Sequence, residues 1–254
     1  MRDVEREATQ ITYSSLSDEC YRRLRHRIIN ARAMWGQRLD IMQLADEFGV
    51  SRAPVIKAIE RLAHEGLVTV SPNRGSYVTQ PTQTDVRELF EVRRALERAA
   101  IEAAWRLNRE SLLTRLLENE RRMERYEAKG RQLDTAEFLE YDRLFHEIIA
   151  DCSGNSRLRR FYDIIRGQVD LFRSQTFGED VARRSLEMHR RVIAGLEAGD
   201  LQEALAALCT HIDEVGEGAE QLVAAVERES GDVRQANEEA RAPRWPRPRA
   251  RRGG

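Results

Sequence analysis

Asp142, His146, His189 and His211 are spread over some seventy positions, yet each falls on the apolar stripe of a segment with helical periodicity. Leu139, Asp142, His146 and Ile149 recur at helical spacing, as do Leu186, His189, Ile193 and Leu196, and again Ala204, Leu208, His211 and Val215. A carboxylate buried in such a stripe without a partner costs several kcal/mol, roughly, unless its pKa shifts. Three imidazoles and one carboxylate in a bundle interior offset that cost if they share a metal ion. Asp142 and His146, one helical turn apart, point the same way and can hold one ion together. The competing reading is three separate buried histidine pairs with carboxylates or backbone. With this ligand set zinc is the default, and nickel, cobalt, manganese and iron remain open. Four protein ligands on a five- or six-coordinate ion leave vacancies, which could polarise water for hydrolysis or hold a ligand carboxylate.

The elements that must position these residues can be read from the rest of the chain. At 254 residues there is room for two domains. Aromatics at 6%, charged residues at 33%, and few Gly and Pro suit a mainly α protein. The net charge of −1 makes no global claim on nucleic acid, although Arg22, Arg23, Arg25 and Arg27 cluster near the N-terminus. Cys20, Cys152 and Cys209 are far apart and fit no metal pair, so they read as reduced thiols of a cytoplasmic protein. MRDVEREATQ lacks the apolar core of a secretory signal, and no run is long enough to span a bilayer, so no membrane association is expected.

Residues 1–15 are polar and expected to be flexible. A helical period runs from Leu16 through Cys20, Leu24 and Ile28. Asp40 can cap a short helix over 41–48 that ends at Gly49, and Ser51 can cap a third with Val55, Ile59 and Leu62 inward. LVTV and SYVT around a Pro-Asn-Arg-Gly turn read as a hairpin. This order predicts a winged helix-turn-helix over 16–80, whose third helix enters a major groove. From 81 to 230 nearly everything is helical, with breaks at Asn108, 130–134, 153–155, Gly178 and 199–200, which predicts an antiparallel bundle of about six helices. Residues 231–254, ending RAPRWPRPRARRGG, are expected to form a disordered tail. The tail is either simply solvated or adds non-specific nucleic-acid affinity through counterion release.

LADEFGVSRAPV…RLAHEGLV, the wing SPNRGSYV, LFEVRRALE at 89–97 and the Asp-x3-His pattern at 142–146 followed by His189 and His211 carry a resemblance. Over residues 16–227 the chain resembles bacterial GntR-type transcription regulators of the FadR subgroup, whose all-helical ligand domain is called FCD. The resemblance implies a DNA-binding transcriptional regulator of the repressor type, not an enzyme. It further implies a small organic-acid effector bound near the metal. Arg93 and Arg94 are the candidates to clamp its carboxylate, Arg93 preferred because it shares a face with Phe90 and Ala100.

Arg52 matches a DNA-contact position of that family. Ser51, Lys57, Asn73 and Arg74 are candidate phosphate partners, with Gly75 allowing close approach of the wing. The chain departs from the family at Met42 and Ile56, where arginine is common, and at Ala53, where threonine is. Ile56 on the groove side would meet thymine methyls. One reading head makes too few contacts for specificity, so a homodimer on a pseudo-palindromic double-stranded operator is expected. The alternatives are a metal-dependent hydrolase or lyase, and a metal sensor in which the ion itself is the signal.

Overall fold

The computed structural model describes residues 2–30, 34–72, 74–127, 135–176 and 178–241, with side chains described over 16–30, 34–72, 74–124, 137–174 and 178–228. Helix α1 (Arg2–Ile29) buries Cys20, Leu24 and Ile28, four residues apart, against α3 (Arg52–His64). It starts at Arg2, so the backbone of residues 2–15, expected to be flexible, is helical. No Gly or Pro occurs before Gly36, and Glu, Arg and Ala favour a helix once α1 has nucleated.

Helix α2 (Ile41–Phe48) is capped as its sequence predicts. The Asp40 carboxylate accepts from the amides of Met42 at 2.8 Å and Gln43 at 3.1 Å, and Gly49 closes the helix at φ 68°. Ser51 occupies the N-cap position of α3, but its hydroxyl makes no capping bond. The hairpin consists of β2 (Val68–Ser71) and β3 (Gly75–Val78), in antiparallel register from Val68↔Val78 to Ser71↔Gly75. A third strand, β1 (Arg38–Leu39), pairs with β3 and completes a sheet of order β1-β3-β2. Two residues carry no periodicity, and this strand was not legible in the sequence.

The bundle comprises α4 (Gln83–Glu127), α5 (Thr135–Cys152), α6 (Ser156–Thr176), α7 (Glu179–Ala198) and α8 (Leu201–Arg241). The break expected at Asn108 is a kink inside α4, at φ −141° and ψ 36°, so the expected six helices are these five with the first bent. Asn108 Nδ2 donates to the Cys152 carbonyl at 2.8 Å, which satisfies the end of α5 at the bend. Helix α8 extends past 230 to Arg241, so residues 231–241, expected in the disordered tail, are helical; residues 242–254 lie outside the described ones.

The two parts share one apolar core, running from Cys20 and Leu24 through Val86 and Ile101 to Leu208 and Ile212. At the junction Trp35 meets the edge of Phe172 on α6, with ring centroids 6.1 Å apart. Asp170, on the same helix, sits near Arg25 of α1, with Oδ2 3.8 Å from its guanidinium. Burial pushes the Asp170 carboxyl up to about 6, Glu147 adding to the effect while Arg143, Arg25 and Arg166 oppose it. A carboxyl raised by folding contributes stability that is complete below its unfolded value and is lost as pH rises through its folded value. Asp170→Asn should therefore remove about 1–2 kcal/mol of the stability lost between pH 5 and pH 8, checked by urea unfolding at both. A wild-type-minus-variant difference that does not move with pH would contradict this.

Candidate metal centre and nucleic-acid face

Helices α5, α7 and α8 bring Asp142, His146, His189 and His211 to one point, none more than 3% exposed. Their potential ligand atoms all lie within 4.8 Å of one another. His211 Nε2 is 3.2 Å from His146 Nε2 and 3.3 Å from His189 Nε2, and Asp142 Oδ1 is 3.5 Å from His189 Nε2. Two imidazole nitrogens bound to one zinc at about 2.0–2.1 Å, at the tetrahedral angle, stand roughly 3.3 Å apart. The observed spacing fits a shared ion. The stripes read from the sequence thus converge on one buried cluster.

The surrounding side chains fix the chemistry of the ligands. His146 Nδ1 lies 2.6 Å from Glu97 Oε2 of α4, so that nitrogen carries the proton it donates and Nε2 presents a lone pair to the centre. Glu97 is itself held by Arg93, whose Nε donates to Oε1 at 2.7 Å; both residues are fully buried. The ring of Phe145 stacks on His189 with centroids 3.7 Å apart and planes 6° from parallel, which fixes the imidazole's tilt. Arg173 of α6 donates to Asp142 Oδ2, leaving Oδ1, which has no hydrogen-bond partner, on the histidine side.

Electrostatics favour ligand-ready forms. Burial would raise the Asp142 carboxyl, but Arg173, His146 and His189 outweigh it and hold it at about 2. Burial pushes His189 down to about 3 and His211 well below its ordinary value; His146 is lowered too, against the pull of Glu97. Three neutral imidazoles and one carboxylate at neutral pH are what a divalent cation requires.

Two cavities border the centre. One of ≈ 220 Å³ lies between Asp142 and Arg173 on one side and His26, Ile29 and Asn30 of α1 on the other. The other, ≈ 670 Å³, runs between α7 and α8 past Ser185, His211 and Val215. Arg93 belongs to this interior: it is 2% exposed and its Nη1 has no hydrogen-bond partner. Arg94 does not; it is half exposed and pairs with Asp213 at 3.3 Å on the outer surface. Glu97 and Arg173 were missed as parts of the centre. Glu97 stands i,i+4 from inward Arg93, and that spacing was the available signal. Arg173 follows Val169 by four on the inward stripe of α6.

On the other domain, Ser51, Arg52, Ala53, Ile56, Lys57 and Glu60 make up an exposed face of α3, with Ile56 40% and Met42 55% exposed. Arg74 is exposed at the wing turn, where Tyr77 Oη donates to its carbonyl at 2.8 Å, and Gly75 takes φ 111°. Asn73 lies outside the described residues. No described helix is long and apolar enough to cross a membrane.

Comparison with known proteins finds a family match for each half of the chain. The profile of the FCD domain matches residues 88–214, and that of the bacterial regulatory proteins of the gntR family matches residues 16–78. The HTH-type transcriptional repressor RspR of Escherichia coli K12 is 27% identical over 82% of this chain and 90% of its own length. The gluconate operon transcriptional repressor of Bacillus licheniformis is 28% identical over 78% and 83%. Among solved structures, GntR from Rhodococcus sp. RHA1 has the same fold, with a TM-score of 0.68 at 24% identity, covering 81% of this chain and 97% of that one.

Proposed function

Because this chain belongs to the gntR family of bacterial regulatory proteins, with an FCD domain, and is therefore a DNA-binding transcriptional regulator and not an enzyme, we propose that its bundle is a metal-dependent sensor of a small organic acid. The observation that carries this reading is the convergence of Asp142, His146, His189 and His211 beside buried Glu97 and Arg93. Zinc is the ion the donor set fits best. A divalent ion held there offers open positions to a carboxylate oxygen. Arg93, with its unpartnered Nη1, supplies the second contact to that carboxylate, a charge-assisted hydrogen bond in a dry interior. Arg94 is left to the surface.

The protein acts as a homodimer on a pseudo-palindromic operator, with Ser51, Arg52, Ile56, Lys57, Asn73, Arg74 and Gly75 as the DNA-facing set. Repression is supported by the names of two relatives, and the gluconate name, that of a carboxylic acid, agrees with an acid effector. The acid shifts operator affinity only as far as it binds one conformation better than the other.

The test is metal analysis joined to a thermal-shift screen of small carboxylic acids. One ion per chain is expected, with the acid that raises the midpoint doing so only in metal-loaded protein and changing operator affinity. His189→Ala should lose both the ion and the response. A His189→Ala protein that keeps its metal content and thermal midpoint would sink the assignment.

A further inference from the structure

Where α1 of the head lies against the bundle, guanidinium groups from three helices surround one recess. A cavity of ≈ 400 Å³ there is walled by Arg22, Arg25, His26 and Asn30 of α1, Arg143 of α5 and Arg166 of α6. No carboxylate is among its lining residues, and neither Arg93 nor any of the four clustered ligand candidates reaches it.

The carboxylates that offset these cations stand behind the wall. Arg25 Nε is 3.6 Å from Glu65 Oε2 and its Nη2 is 3.8 Å from Asp170 Oδ2, both beyond hydrogen-bond length. Arg143 Nε is 3.7 Å from Glu147 Oε1, an oxygen that already accepts from Arg166, so two guanidiniums share one carboxylate. Glu65 Oε1 is taken by Tyr21 Oη, which donates to it at 2.6 Å. Arg166 Nε is buried and has no hydrogen-bond partner. Asn30 Nδ2 donates to His26 Nδ1 at 2.6 Å, which leaves His26 Nε2 as a protonated nitrogen. The recess is thus lined by donors whose protein acceptors are shared or out of reach.

We propose that this recess binds a small phosphate-bearing anion, at a site separate from the metal centre, and that the bound anion ties the winged head to the bundle. Donors reaching in from three helices suit a tetrahedral dianion, whose oxygens point several ways. A planar carboxylate instead meets one guanidinium fork to fork. Arg25 and Arg166 are only 19% and 26% exposed, so a diffusible molecule reaches them, whereas the backbone of a duplex would stop at Arg22, 68% exposed. Because Arg25 belongs to the head and Arg143 and Arg166 to the bundle, an anion between them favours the packed arrangement by as much as it prefers that arrangement to a separated one. The site needs no ion at the Asp142 cluster.

Titration calorimetry and thermal unfolding of the full chain with inorganic phosphate and glycerol 2-phosphate, at constant ionic strength, test the site. One anion per chain is expected, raising the thermal midpoint by about 5 °C at 100 times its dissociation constant. Arg143 is partly exposed and makes no hydrogen bond among the described residues, so Arg143→Gln should fold, and it should bind at least about 10-fold more weakly. Arg166→Gln should do the same, while Arg98→Gln, at an exposed pair with Glu102, should bind as the wild type does. Protein treated with EDTA should bind phosphate as untreated protein does. Binding lost from EDTA-treated protein that is still folded puts the anion on the metal and overturns the proposal. Equal midpoint gains from acetate or chloride overturn it too, as does wild-type affinity in Arg143→Gln or an effect of that variant confined to duplex binding.

Discussion

Glu97→Ala should lower the free energy of unfolding by about 3–5 kcal/mol and, with it, the affinity for the ion by roughly 10- to 100-fold. The first effect follows from burial. Glu97 is 0% and Arg93 2% exposed, and Glu97 is the hydrogen-bonded partner of the Arg93 guanidinium among the described side chains. Removing the carboxylate leaves a charge in a dry core with Nη1 already unpartnered, which is far costlier than losing a surface pair. The second effect follows from proton placement. Without an acceptor at Nδ1, His146 is no longer held in the tautomer that turns its Nε2 lone pair inward.

Glu97→Gln separates the two effects. Its carbonyl can still accept from Arg93, but its amide then faces His146 Nδ1 and drives the proton onto the ligand nitrogen. This variant should lose more metal affinity than stability. Urea unfolding and competitive metal titration measure both quantities, and wild-type values for the alanine variant in both would refute the Arg93–Glu97–His146 chain.

Arg52→Ala should weaken operator binding by about 1–3 kcal/mol per reading head, roughly 5- to 150-fold, while leaving random duplex nearly unaffected. Arg52 is the first residue of α3 and is exposed, at the helix end we propose to enter a groove. A guanidinium there can meet guanine O6 and N7 with two bonds, which no shorter side chain reproduces. Met42 and Ile56, both solvent-exposed, offer only apolar surface where arginines are common in the family, so a larger share of base discrimination falls on Arg52. Titration of operator and scrambled duplex at one salt concentration decides the matter. An equal loss on both would make Arg52 a phosphate contact instead.

The clustering of Asp142, His146, His189 and His211 was legible because chemistry and period coincide: a charged or imidazole group on an apolar stripe demands a partner, and three stripes supplied each other. The kink at Asn108 was legible as a polar break in the helical pattern, and the Asp40 and Gly49 caps as turn chemistry. Glu97 and Arg173 were not. Both carry charge types that usually face water, and only the packing of α4 and α6 against α5 reveals what they answer. Strand β1 was hidden because two residues cannot show alternation, and its pairing with β3 is a tertiary event. The helicity of residues 2–15 and 231–241 went unread because both are mostly polar, and the short stripes of Val4, Ala8 and Ile11 and of Val233, Ala236 and Ala240 are too weakly apolar to stand out.

The Trp35–Phe172 contact and the core that runs through both halves imply that the winged head does not dangle from its four-residue connector at 79–82. Head and bundle are packed against each other through α1, α6 and Trp35. In a two-fold pair, the span between reading helices is then set by the angle at which the two bundles meet. A few degrees of rotation there would be magnified along the length of each protomer, so the sensor we propose could retune its grip on DNA without loosening a hinge.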